Sequence, residues 1–282
     1  MKKIVFSRKG FDSSAGGFPS IIFPDGSLFS IPIPSNRDKY TYSDLEYSYE
    51  GDEIQKILAD ITNGMYCKHS VEELSQSSYP QYCHHDPYFF REESYSGLTL
   101  GQVGSAEGHL RNQGISEDDI FLFYGWFKQI KKNGDLWSFD STAKDLHLVW
   151  SQITVGKVIQ LDSQQDQEAA LQEHPFLINH PHVGKQDGGK NRIYLSKSSE
   201  LFDFHTQRCL TDTEKYKGRS TWRLPRYFNQ PEAFSYLNNF SIDGHDVIIS
   251  YQGYGQEFVL NLDKVKTNEE REHIKKHISL ML

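Results

Sequence analysis

The sequence predicts an α+β protein: a mixed β-sheet, partly closed into a barrel, with flanking helices, in one compact domain over residues 1–282. Three observations carry this. Short β-rich runs outnumber helical patterns, and the two alternate irregularly, unlike a doubly wound α/β chain. Aromatics reach 13% of the chain, with 18 Phe and 16 Tyr, so large rings supply much of the buried area. No internal repeat or linker divides the 282 residues, a length that supports a sizeable core.

The elements follow in order. Residues 3–6 form a short strand. The loop SRKGFDSSAGG, residues 7–17, follows. Residues 21–23 and 27–31 flank Pro24-Asp25-Gly26 and read as a hairpin. Pro32 and Pro34 end its second strand or leave it at an edge. Residues 43–60 place Ile54, Ile57, Leu58 and Ile61 on one helical face. Residues 105–112 suit a short helix and IFLFYGWF, 120–127, a buried strand. Residues 146–161 read as one long strand or two, with a bend or bulge near Gly156. A polar helix is expected over 162–173, a strand over 192–195, and a helix start at Leu224-Pro225. Residues 247–251 and 256–262 read as a late hairpin around Gly253 and Gly255. Residues 268–281 form an amphipathic helix with Ile274, His277, Ile278 and Met281 on one side.

Net charge is −8, which disfavours nonspecific coating of nucleic acid and favours a local site. Cations nevertheless cluster at Lys128, Lys131 and Lys132, at Lys185, Lys190 and Arg192, and from Lys215 to Arg226. The three Cys, at 67, 83 and 209, imply no disulfide framework. Neither a signal peptide nor a membrane span is readable, so a reducing cytoplasm is the expected location.

The opening loop is one candidate site. Gly10, Gly16 and Gly17 permit close backbone approach, Ser7, Ser13 and Ser14 can donate to phosphate, and Arg8 can grip it beside Lys9. Asp12 does not suit a pure phosphate site; a carboxylate suits chemistry at a sugar–base bond. The bland alternative is a capped turn. In His84-His85-Asp86-Pro87, His85 and Asp86 can form an acid–base pair or merely brace a turn. A metal reading would add Cys67, His69 and Cys83, but the spacing fits no usual zinc pattern, so neither metal nor cofactor is expected. Gln102, His109, Arg111, Asn112 and Gln113 can read base edges or cap a helix. Tyr124, Trp126, Phe127 and Trp150 read as core. Trp222, between Arg219 and Arg223, suits stacking with phosphate contact. Glu257 is a further candidate carboxylate, and His180-Pro181-His182 reads as a loop. No P-loop, dinucleotide fingerprint, zinc-deaminase signature or nucleophile elbow is present.

SRKGFDSSAGGFPSIIFPDGS, CHHDPY, GQVGSAEGHLRNQGISEDDIFLFYGWF and GQEFV together resemble the bacterial and phage family called nucleotide modification associated domain 3. The resemblance runs from residue 3 to about residue 260. It departs at Tyr124, where the family more often has Phe, and at Tyr88, where an acid often follows the Pro. The second departure weakens a two-carboxylate mechanism built at Asp86. The resemblance implies a context of DNA carrying modified bases, in phage genomes or in defence against them; it assigns no catalytic residue. Residues 120–127 and 146–159 also look like the barrel of PUA-like modules, several of which hold a flipped or modified base, a likeness of fold alone.

The resulting expectation is a metal-free DNA glycosylase acting on a flipped, modified nucleotide. Asp12 or Asp86 would stabilise the sugar cation, with His85 and Glu257 as further catalytic candidates. Arg8, Lys9 and Arg223 would hold phosphates, and Trp222 and Phe11 would stack or wedge. Ser7, Gly10, Ser13, Gln102, His109, Asn112 and Arg219 complete the expected nucleic-acid contacts. A non-catalytic reader of modified bases and a base-modifying transferase remain alternatives.

Overall fold

The structure, a computed structural model, describes residues 2–36, 38–65, 82–185, 189–250 and 257–281. The chain folds as two compact units. One comprises Met1–Lys9, Asp86–Gly125 and Leu146–Leu282; the other comprises Gly10–His85 and Trp126–Asp145. The architecture is mixed α+β, with a curled half-barrel sheet and flanking helices.

The first unit is built on that sheet. Its strand order is Glu257–Asn261, Lys3–Arg8, Ile120–Asn133, Leu146–Gln160, Asn191–Leu201, Ser96–Val103, Tyr88–Arg91. The strand Lys3–Arg8 runs parallel to Ile120–Asn133, from Ile4 opposite Ile120 to Arg8 opposite Tyr124. It runs antiparallel to Glu257–Asn261, with Ser7 opposite Glu257. Alternation along these strands separates two cores. Val5, Phe121, Phe123 and Val259 share one face with Leu98, Leu100, Tyr194 and Leu110 of the helix Gly104–Asn112. Ile4, Phe6, Leu122, Tyr124, Phe258 and Leu260 take the other face. There they pack on the three-stranded sheet Thr221–Pro225, Asp246–Ser250, Phe240–Asp243 and on the helix Asn268–Met281. The helix Gly104–Asn112 is fastened by Glu107, which accepts from the Tyr194 hydroxyl at 2.9 Å and meets Arg111 and Arg192.

The second unit packs the helix Ile54–Ile61 against Phe11, Phe23, Tyr42, Ile130 and Trp137. The expected hairpin is present, with Ile21 opposite Phe29 and Ile22 opposite Leu28. Trp137 donates its indole N–H to Asp52 at 2.8 Å.

The helices near 105–112 and 268–281 and the bulged strand near Gly156 match the sequence reading; the register shifts lie between Thr154 and Lys157. Three elements differ. The helix expected over 43–60 begins only at Ile54, because Glu50 and Gly51 adopt left-handed backbone (φ 50° and 83°) and fold Ser48–Tyr49 onto Asp52–Glu53. Leu224-Pro225 ends a strand rather than starting an α-helix, and one 3-10 turn follows. The strands of the late hairpin do not pair. Asp246–Ser250 joins the small sheet, where Val247 and Ile249 are buried; Glu257–Asn261 joins the large one. Gly253 and Gly255 lie outside the described residues.

Two rings read as stacking groups are core instead. Alternation along Thr221–Pro225 turns Trp222 and Leu224 inward, so Trp222 is fully buried and its indole donates to His147 Nδ1 at 3.0 Å. Phe11 is also fully buried, edge-on to Tyr42 with ring centroids 6.1 Å apart.

Gly10 and Gly16 of the opening loop serve this packing. A Cβ at Gly10 would lie 2.4 Å from Ser30 Oγ, and one at Gly16 would lie 2.4 Å from the Phe11 ring. Gly17 shares the left-handed backbone (φ 80°) but has open space where its Cβ would go. Gly17→Ala should therefore cost about 1–2 kcal/mol, a backbone penalty only. Gly16→Ala should cost about 1–3 kcal/mol more, as the Phe11 ring is displaced. Urea unfolding of both variants checks the difference; equal costs would contradict the packing role.

Candidate active site

Glu257 begins the last strand of the large sheet and is 3% exposed. Its neighbour in register is Ser7, whose hydroxyl donates to Oε1 at 3.4 Å. The Gln102 amide donates to the same oxygen from the end of the strand Ser96–Val103. In strand order these two strands are far apart, so this contact reaches across the curl of the half-barrel. Burial raises the Glu257 carboxyl above the ordinary carboxylate range; Lys9, Ser7 and Arg8 pull it down, and Asp86 pushes it further up. Both neutral donors address Oε1, which leaves Oε2 as the other oxygen of the carboxyl.

Asp86 is the second carboxylate, with its side chain fully buried. Its Oδ1 accepts the Gly101 N–H at 2.7 Å, and its Oδ2 meets Lys9 Nζ at 3.4 Å. His180 Nε2 lies 3.9 Å from Oδ1. His180 Nδ1 accepts the His182 N–H at 3.1 Å, so its proton is on Nε2 and faces Asp86. The His182 ring lies where a Gly101 side chain would be: an added Cβ would approach it to 2.2 Å. Glycine there lets the ring and the Asp86-binding strand meet. Arg8, opposite Tyr124 at the end of the same first strand, acts electrostatically on Glu257 and on His147. His147 stays neutral: burial depresses it most, and Arg219 and Arg8 add to this.

Six residues singled out in the sequence thus converge: Ser7, Arg8, Lys9, Asp86, Gln102 and Glu257. The others are placed elsewhere or engaged otherwise. Asp12 spends its carboxylate on its own turn, accepting from Ser14 N, Ser14 Oγ and Ala15 N at 2.7–2.8 Å. Gly10 and exposed Ser13 belong, like Asp12, to the second unit. His85, in that unit too, packs edge-on to Tyr40. His109 hydrogen-bonds Ser235 at 3.0 Å beneath Tyr236, and Asn112 is exposed at the end of its helix. The Arg219 carbonyl accepts from Thr211. Arg223 is held by Asp212, Asp243 and Asp246 at 3.0, 2.6 and 2.9 Å, so its charge is balanced by carboxylates of its own chain. Of the metal reading, Cys67 and His69 lie outside the described residues, and burial pushes the Cys83 thiol up to about 12.

His180 and His182 were legible only as a loop, since nothing local ties them to Asp86. No described helix is long and apolar enough to cross a membrane. The family model described as nucleotide modification associated domain 3 matches residues 3–261. Neither a curated protein nor a solved structure matches the chain.

The raised Glu257 pKa has a signed consequence for stability. Between the ordinary value of 4.5 and its raised value, the native state keeps a proton the unfolded chain has lost. Unfolding free energy therefore falls as pH rises through that window. Glu257→Gln keeps the shape and lacks this slope. Its stability relative to the parent should rise with pH in urea titrations from about pH 4 to 8; parallel profiles would contradict a buried, protonated acid.

Proposed function

The chain belongs to the nucleotide modification associated domain 3 family, and we propose that it acts on modified bases in DNA by cleaving the N-glycosidic bond of a nucleotide flipped into the half-barrel. The observation that carries this reading is the buried acid Glu257 set beside the Lys9–Asp86 ion pair. Base excision needs two complementary groups. The departing base must take a proton as the C1′–N bond breaks, and the sugar, left electron-poor, must meet an anion and a water. Glu257, whose carboxyl burial raises above the ordinary range, supplies the proton as general acid. Asp86, fixed by the Gly101 N–H and Lys9, faces the cationic sugar and orients the water that adds at C1′. The proton shed by that water returns to the carboxylate pair. Two carboxyls in unlike surroundings suit one acid role and one anionic role. Arg8 supplies positive charge for a flanking phosphate, while Lys9 holds Asp86.

Of the two carboxylates expected for the anionic role, Asp12 or Asp86, this assignment takes Asp86, and it gives Glu257 the acid role. It does not require Trp222, Phe11 or Arg223 at the DNA.

Purified protein should release free base from modified DNA and leave abasic sites, read by mass spectrometry of both products. Glu257→Gln and Asp86→Asn should each slow release by about 100-fold or more while remaining folded by circular dichroism. Unimpaired release in both variants would remove these roles. Saturable binding of modified DNA with no abasic product from the parent protein would replace the glycosylase by a reader.

A further inference from the structure

A cavity of about 500 Å³ opens where the chain leaves the helix Gly104–Asn112 and passes the strands Leu146–Gln160 and Asn191–Leu201. Its volume is that of a small-molecule site. Strand register fixes which side chains face it. Val158 lies opposite Tyr194, and Gln160 lies opposite Arg192. Tyr194 and Arg192 lie in turn opposite Leu100 and Gln102. Pairing is regular over these positions, so Val158, Gln160 and Arg192 share the face that carries Leu100 and Tyr194. Ile115 and Val158 pack on that same cluster and give the cavity its apolar side. Ser116, Glu117, Gln160 and Arg192 give it its polar side. Lys157 lines one end, but its ammonium is engaged by Glu173 and His174.

Two groups of opposite charge therefore line one cavity. Arg192 is anchored from behind: its Nε lies 3.3 Å from Glu107 Oε1. Glu107 is itself fixed by the Tyr194 hydroxyl and by Arg111, which Asp162 grips through two bonds of 2.9 Å. A guanidinium held through Nε keeps its terminal nitrogens as a fork of donors. The Glu117 carboxylate is exposed and offers acceptors. An anion drawn to Arg192 would be repelled by Glu107 and Glu117, and a cation drawn to Glu117 would be repelled by Arg192. A neutral, flat ligand with paired acceptors on one edge and paired donors on the next suits both. Among the ordinary bases this is guanine, whose O6 and N7 accept and whose N1–H and N2–H₂ donate. Adenine sets a donor beside its N7, and cytosine and thymine each carry a single donor group.

We propose that this cavity binds guanine: Arg192 donates to O6 and N7, the Glu117 carboxylate accepts from N1–H and N2–H₂, and Ile115 and Val158 meet the ring. The site is separate from the acid, since Ser7, Lys9, Asp86 and Glu257 do not line it. It goes beyond the base-excision reading and does not depend on it.

The test is equilibrium binding to the full-length protein, read by calorimetry. The probes are the four ordinary deoxynucleoside monophosphates, deoxyinosine monophosphate, and short single strands with and without one guanine. The guanine nucleotide should bind saturably and about tenfold or more tighter than the other three. Arg192→Lys keeps the charge and loses the fork; Glu117→Gln changes an exposed side chain and leaves the packing intact. Each should weaken guanine binding about tenfold. Deoxyinosine monophosphate lacks the N2 amino group. It should bind the parent about tenfold more weakly than the guanine nucleotide, and Glu117→Gln should largely abolish that difference. A guanine-bearing strand bound better than its guanine-free counterpart would place the site on DNA; equal binding of the strands, with the free nucleotide still preferred, would make the ligand the free nucleotide. Absence of saturable binding, equal binding of all four bases, or an inosine penalty unchanged in Glu117→Gln would each overturn the proposal. So would guanine binding lost in Glu257→Gln and kept in Glu117→Gln. Guanine binding with these responses, in a protein that releases no base, would keep this inference and reject the glycosylase reading.

Discussion

A carboxyl group taken out of water must be met by donors or hold its proton more tightly; Glu257 is met by two donors, and burial raises its pKa. The rest of the half-barrel depends on this constraint. Ser7 approaches from the first strand and Gln102 from the far side of the sheet, so one buried oxygen draws together segments separated by 250 and 155 residues. Curling the sheet far enough to satisfy Glu257 encloses Val5, Phe121, Phe123 and Tyr194 as one core. It also brings the Lys9–Asp86 pair within electrostatic reach of the acid. The chemistry proposed for the site and the closure of the sheet thus rest on the same atoms, as expected where a functional group is held at some cost in stability.

Local pattern carried much of the fold. Short apolar runs marked the strands around residues 3–6 and 120–127, an imperfect alternation marked 146–161, Asp25-Gly26 marked a real turn, and the C-terminal stripe marked a real helix. The site was legible as residues but not as an arrangement. Glu257, Asp86, Gln102 and Ser7 stood out one by one, yet their meeting depends on strand order, which no short window of sequence contains. The same limit explains the errors. Alternation buries Trp222, and only the register against Asp246–Ser250 shows that its face is covered. Gly10, Gly16 and Gly17 read as letting a ligand come close to the main chain; what lies beside Gly10 and Gly16 is the chain's own Ser30 and Phe11, and Gly17 has open space.

The cation clusters have a similar explanation. Arg223, Lys215, Arg111 and Lys132 each face one or more carboxylates of the same chain. Such pairing holds loops and strand ends, and it fits a net charge of −8. A protein organised in this way gains little from long-range attraction to a duplex. On the proposed reading, discrimination comes from short-range contacts with one nucleotide, where burial strengthens each hydrogen bond.

The Trp222–His147 hydrogen bond gives the molecule a built-in optical gauge. The indole is sealed from solvent, locked to a neutral imidazole, and ringed by Phe6, Tyr124 and Phe258. Its emission should be blue-shifted while the small sheet stays docked on the large one. Parting the two sheets would expose the indole and let the imidazole take up a proton, shifting and quenching that light together.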